Sequence, residues 1–466
     1  MPKSVSTAIH SQEREQKALL RAFTGTVRHY WGNWAAVFSG VKDPRIPERI
    51  TYPLESLLFT GTFLFVCHLG SRRGLNDRLR GNPAAEAKMA AWFGVESIPH
   101  GDSLNYTFRR LEANEVQEVI CRSVECLVRK KVLSRYRLLG LHYLVAIDGT
   151  GVLTFRERHC PHCLTKTFKS GKTIYYHPVL EAKLVTANGL AFSLLTEFIE
   201  NTDLSADKQD CELKAFYRLS QRLKARFPRL PMCLLLDGLY AGGPTFQICT
   251  DYDWKYLIVL REEDLPNLHR SFAVAMPQLP NQHKQVDLSE VNLHLRTEQV
   301  KQDYGWVEGL SYADSQKRVH RLNLIECQET RTDLHRQITS IHYKWVTNFS
   351  LTSRNVDQLA NQGGRLRWKI ENEGFNVQKN SELNLEHPYS QDPTARKIFY
   401  LLLQLAHLIF QLIHKGSLLR QTFPDGLRTA KNLAFRLLEA WRNLSLSTID
   451  FLALAQGRFQ IRLDTS

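Results

Sequence analysis

The apolar pattern changes character three times along the chain. Up to about residue 138 it is helical. A polar arm leads into an aromatic helix carrying Tyr30, Trp31 and Trp34, and helical patterns then run from 44 through Arg137, with a break at Pro99 and Gly101. From 143 the pattern becomes strand-like. YLVAIDGTGVLTF (143–155) is an apolar run that ends in a Gly-rich turn, and VLEAKLVTANGLAFSLLTEFI (179–199) reads as two strands around an Asn188-Gly189 hairpin. A basic amphipathic helix is expected over 205–226, followed by buried strands at 232–240 (MCLLLDGLY) and 255–260 (KYLIVL). A polar, less regular section covers about 264–340. A strand at 341–351 follows, then a helix over 355–380, and helices dominate from 394 onwards.

Two apolar stretches, 54–69 and 398–413, fall short of the ~20 residues that span a bilayer. Both carry polar breaks (Glu55 and His68; Gln404, His407 and Gln411), so buried core helices and no membrane association are expected. A hydrophobic fraction of 43% over 466 residues gives a sizeable core and room for two or three domains. The formal net charge of +14 points to a polyanionic partner, nucleic acid before an acidic membrane. The polar start MPKSVSTAIHSQEREQK and nine cysteines point to a reducing, cytoplasmic setting with thiols free or metal-bound.

Two aspartates end buried runs. Asp148 follows 144–147 and Asp237 follows 234–236, each with a glycine next, in AIDGTG and LLDGLYAGG. A carboxylate after several buried apolar residues is costly unless something pairs with it. The strand-then-helix order of 143–260 suggests an α/β sheet whose strand ends share a crevice. Downstream, RLRWKIENEGFNVQKN (365–380) sets Glu371 and Glu373 among Arg365, Arg367, Lys369 and Lys379.

Together, AIDGTG, LLLDGLYAGG and RWKIEN resemble the three active-site motifs of DDE transposases, among them the bacterial insertion-sequence enzymes of the insertion-sequence-four superfamily. The resemblance covers about 143–415. That family carries a helix signature Y-x-x-R-x-x-x-E-x-x-x-x-x-x-K. Arg367 and Glu371 fit it, the tyrosine position falls on Gly364, and the lysine position falls on Gln378 with Lys379 one place late, as if one residue were inserted around 372–374. The resemblance implies an α/β fold with an RNase H-like mixed-sheet core at 139–393, including a β-rich insertion at about 264–340. It also implies a DNA-end-binding helical region at 1–138 and C-terminal helices at 394–466 that help pair two protomers.

Asp148, Asp237 and Glu371 are then the catalytic and metal-binding residues, holding Mg²⁺ or Mn²⁺, two ions being expected. Phosphodiester cleavage uses one ion at the nucleophile and one at the leaving oxygen, and Mg²⁺ takes oxygen ligands. On a regular helix Glu373 would fall on the packing stripe of Leu366, Ile370 and Val377, with Glu371 facing the site. Arg365, Arg367, Lys369 and Lys379 are expected to hold the DNA backbone, and Arg318, Arg321 or Trp306 to reach DNA from the insertion. The implied partners are double-stranded DNA, as inverted repeats and target, and a second copy of the chain in a nucleoid-associated synaptic complex. A transposase-derived DNA-binding protein and an RNase H-like nuclease are the alternatives.

HCPHC (159–163) gives Cys160 and Cys163 the spacing of metal ligands. His159, His162, His177 and Cys211 are candidates to complete a zinc site.

Overall fold

Alternation sorts the central strand between two cores. In β1 (Tyr143–Phe155), Tyr143, Val145 and Ile147 enter one core, and Leu144 and Ala146 the other. Successive strand side chains point to opposite faces, so a strand covered on both sides reads as a continuous apolar run. The same parity puts Asp148 on the face of Leu144 and Ala146. This computed structural model describes residues 3–202, 208–291, 297–381, 383–420, 422–427, 429–457 and 459–463.

β3 (Thr173–Val185) lies antiparallel to β1, and β4 (Ala191–Phe198) antiparallel to β3 across the Asn188-Gly189 turn. A short β2 (Leu164–Thr167) pairs with the outer half of β3. Beyond β1 come β5 (Met232–Leu236) and β6 (Lys255–Val259), both parallel to it, each reached by a helical crossover. This mixed sheet with flanking helices is the expected α/β fold.

The irregular section is more ordered than its sequence suggests. After a helix (Pro266–Ala275) come four long antiparallel strands, β7 (His283–Val291), β8 (Thr297–Ala313), β9 (Val319–Thr332) and β10 (Ile338–Thr347). β10 pairs with β6, so the β-rich insertion extends the core sheet to ten strands. An uncovered β6 edge would expose unpaired backbone groups. Trp306 is buried with Tyr304 and Trp345 in the second core and cannot stack on DNA. Arg318 pairs with Asp314 at 2.8 Å, and Arg321 donates to the Gly309 carbonyl at 3.3 Å.

Helices lie on both faces of the sheet. α1 (Lys3–Trp31), α2 (Trp34–Phe38), α3 (Leu54–Val66), α4 (Arg72–Leu79), α5 (Pro83–Phe93), α6 (Gly101–Phe108) and α7 (Ala113–Arg129) precede the sheet. α8 (Glu212–Arg226), α9 (Gly243–Asp251) and α10 (the Pro266–Ala275 helix) interrupt it. α11 (Val356–Asn361), α12 (Asn376–Asn380), α13 (Pro393–His414), α14 (Ala430–Asn443) and α15 (Thr448–Ala453) follow it. The two apolar stretches of the sequence are α3 and α13, which pack on each other. Among the described residues α13 is the one helix long and apolar enough to cross a membrane, and 89% of its apolar window is buried inside the protein. α13 also packs on α7 and β4, while α14 packs on α1 and α5, so N- and C-terminal helices share one core.

Candidate functional site: an acidic cluster on the sheet

The segment expected as one helix over 355–380 is four short pieces. α11 ends at Asn361, and a 3₁₀ turn spans Gly364–Trp368. A π turn spans Ile370–Phe375, and α12 closes the segment. A Cβ on Gly364 would lie 2.3 Å from Nε1 of Trp345, so the chain crosses β10 only as a glycine. Gln378 points into the core, its amide donating to Gln404 at 2.8 Å.

This broken segment covers the face on which Asp148 stands, with Ile370 and Phe375 packed in the second core. Asp148, Asp237 and Glu371 converge there. Asp237 caps the 3₁₀ turn Gly238–Tyr240, accepting from the Leu239 N–H at 3.0 Å. Arg367 is buried between the other two: Nη1 donates to Glu371 Oε1 at 2.9 Å and lies 3.6 Å from Asp148 Oδ2. Its Nε is a buried donor without a partner among the described residues.

A fourth acid joins them. Glu212, the first residue of α8, receives the Tyr240 hydroxyl at 2.5 Å. It approaches β1 so closely that a Cβ on Gly149 would lie 2.5 Å from Glu212 Oε2. An acid at the start of a helix is ordinary, because it complements the helix dipole, so nothing in the sequence distinguished Glu212. Burial raises its carboxyl above the usual range, and Asp237 adds to this, against the Tyr240 and Gly149 donors.

Asp148 carries the largest effect. Its carboxyl is pushed up to about 7, first by burial and then by Glu371, with Arg367 opposing and Glu212 and Asp237 adding. One arginine does not balance four carboxylates in a half-buried site. Carboxylate oxygens are the donors that a hard divalent cation such as Mg²⁺ or Mn²⁺ takes, but no three of these acids have their oxygens within 4.8 Å of one another; among the described residues that spacing is met by His159, Cys160 and His177.

The four basic residues expected on DNA are tied into the protein. Arg365 pairs with the buried Glu329 and lies 5.1 Å from the Tyr343 ring centre. Arg367 serves the cluster. Lys369 binds Glu373 at 3.1 Å, and Lys379 binds Glu386 at 2.8 Å. Arg365 and Arg367 turn inward because buried acids need a cation more than solvent-facing phosphate sites do. Glu373 is no core residue: it stands half-exposed against the hairpin at Gly189. At the rim, Trp368 is 49% exposed and Leu239 52% exposed, so apolar surface borders the acids. Cys160 and Cys163 lie elsewhere, beyond the far end of β1. The chain matches no protein-family model, and no curated protein is significantly similar to it.

Proposed function

We propose that the protein is a DDE-type DNA transposase, cleaving phosphodiester bonds at transposon ends and joining the freed 3′-OH to target DNA. One observation carries the reading. Asp148, Asp237 and Glu371, far apart in the chain, meet on one sheet face in a cluster short of positive charge. The net charge of +14 and the motif resemblance support it. The runner-up is a transposase-derived protein that binds DNA without cutting it.

Asp148, Asp237 and Glu371 would hold the divalent ions, with Glu212 in reach, and bound ions would activate a water and stabilise the leaving oxygen. The chain's own groups prepare that site. Arg367 fixes the Glu371 carboxylate and limits repulsion with Asp148. The Asp237 cap and the Tyr240–Glu212 hydrogen bond hold the remaining acids on rigid strand and helix ends. Exposed Trp368 offers a ring for stacking an unpaired base, a contact worth ~1–3 kcal/mol. Two copies would pair on the ends of one element, in the cytoplasm with the chromosome.

The test is cleavage of a duplex bearing the inverted repeats that flank the coding region. Asp148→Asn, Asp237→Asn and Glu371→Gln should each stop cleavage with Mg²⁺ or Mn²⁺ while gel-shift binding persists, because only negative charge is lost near phosphate. Three variants that cut like the parent would sink the enzyme reading. A parent that binds but never cuts would favour the runner-up.

A further inference from the structure

A second cluster lies where β1 gives way to the loop before β2, and nothing in the acidic site uses it. The Cys160 and Cys163 sulfurs are 3.7 Å apart, and Nε2 of His177 lies 3.4 Å from the first and 3.2 Å from the second. A disulfide would need the sulfurs at ~2.05 Å, and both thiols are free. A tetrahedral zinc ion bound at the usual Zn–S and Zn–N lengths has ligand–ligand edges of about 3.5–3.8 Å. The triangle already has nearly that size.

A fourth candidate, His159, stands beside Cys160 and His177 but not within 4.8 Å of the Cys163 sulfur. A ring nitrogen of His159 lies within 4.8 Å of the ligand atoms of Cys160 and His177. Its Nδ1 is buried without a hydrogen-bond partner among the described residues. The ring is stacked on Phe155 at 4.4 Å, which fixes its plane. Behind His177, Nδ1 faces the Arg396 guanidinium at 3.4 Å and the Glu200 carboxylate at 3.9 Å, leaving Nε2 for the metal. Ligating histidines commonly rest their second nitrogen on such polar groups. The two other residues considered do not take part: His162 uses Nδ1 on the Asn201 carbonyl at 2.8 Å, and Cys211 is exposed at the head of α8.

We infer that Cys160, Cys163, His177 and His159 form a structural zinc site that ties the loop after β1 to β3. Ligation releases the two thiol protons and leaves thiolates on the ion. Through Glu200, which also pairs with Arg396 at 3.6 Å and Lys397 at 2.5 Å, the site is anchored to α13. The hairpin it braces has a four-residue β2, and isolated two-stranded ribbons are marginal in water. That hairpin and its approach carry Arg156, Arg158, Lys166, Lys169 and Lys172, so the metal would hold a basic prong in place. The inference does not depend on the transposase reading.

The test is elemental analysis of untagged full-length protein from zinc-supplied cells, without added metal. About one zinc per chain is expected, released when the thiols are titrated with a mercurial. Replacement by Co²⁺ should give the intense visible bands of a tetrahedral thiolate site. Cys160→Ser, Cys163→Ser and His177→Ala should lower the zinc content, whereas His162→Ala and Cys211→Ser should keep it. Should the first three variants misfold, the parent's stoichiometry and cobalt spectrum decide alone. Zinc-free parent protein that takes up no Co²⁺ would overturn the site. So would zinc retained in full by a folded Cys160→Ser/Cys163→Ser double variant.

Discussion

Asp148 and Glu181 are direct partners across β1 and β3, two carboxylates on one face of one sheet, and the fold treats them oppositely. Glu181 is fully buried and saturated. It accepts from Ser193 at 2.7 Å, from Tyr400 at 2.9 Å and from Thr196, and pairs with Lys183 at 3.2 Å. Asp148 is half-buried and underserved, with the Gly149 N–H at 2.8 Å, a shared arginine and three acidic neighbours. A carboxylate that serves the fold receives its partners from the fold. One left short next to other acids is a candidate functional group.

Substituting each acid of the pair should break this contrast cleanly. Asp148→Asn should lower end cleavage by ~10⁴-fold or more, as expected for one member of a unit that acts together, with thermal stability unchanged or raised. A melting temperature well below the parent's would show that Asp148 is structural as well. Glu181→Ala should do the reverse. Stripping one partner from a buried ion pair costs roughly 3–5 kcal/mol, read by denaturant unfolding. A cost under about 1 kcal/mol would mean that Lys183 finds relief from Gln404, to which it already donates at 2.5 Å.

Metal addition sharpens the comparison. Mg²⁺ or Mn²⁺ at a hundredfold excess over Kd should stabilise the parent by about 2.7 kcal/mol, and Asp148→Asn should abolish most of that gain. The sign of the pH effect follows from the raised Asp148 carboxyl. In the metal-free protein its contribution to stability is present below the ordinary aspartate range and is lost as pH rises through about 7. A proton therefore competes with the cation, and calorimetric affinity should increase from pH 6 to pH 8. A flat or inverse profile would remove Asp148 from the ligand set.

The smallest effect is expected at Glu373. It pairs with Lys369 on side chains 34% and 27% exposed. Glu373→Gln should change stability by no more than ~0.5 kcal/mol and leave cleavage intact. A dead Glu373→Gln beside an active Glu371→Gln would exchange their roles.

Much was legible without the fold. The strand that carries Asp148, the strand that ends before Asp237, the Asn188-Gly189 hairpin and the two buried apolar helices follow from local patterns, because burial imposes its period on nearby residues, although β1 runs on through the expected Gly-rich turn to Phe155. The Cys160–Cys163 spacing is local too. Glu212 and Tyr240 were not legible as site residues, since each reads as an ordinary helix start or turn position. The inward roles of Arg365 and Arg367 were equally hidden, because a basic run looks the same whether it faces phosphate or a buried acid.

What the sequence by itself determined is the set of elements and the chemistry each one carries: acids after apolar runs, a basic segment, a pair of cysteines three apart. What only the tertiary structure decided is which of these groups meet. The parity of β1 sets Asp148 on the face that the broken 356–380 segment covers. The close approach of Gly364 to Trp345 lets that segment pass over β10, and Arg367 links Glu371 to Asp148 on the sheet. Pairing of β10 with β6 makes the insertion part of the core. These outcomes depend on contacts between residues far apart in the chain, whose energies come from packing and charge in the folded state, and no local period encodes them.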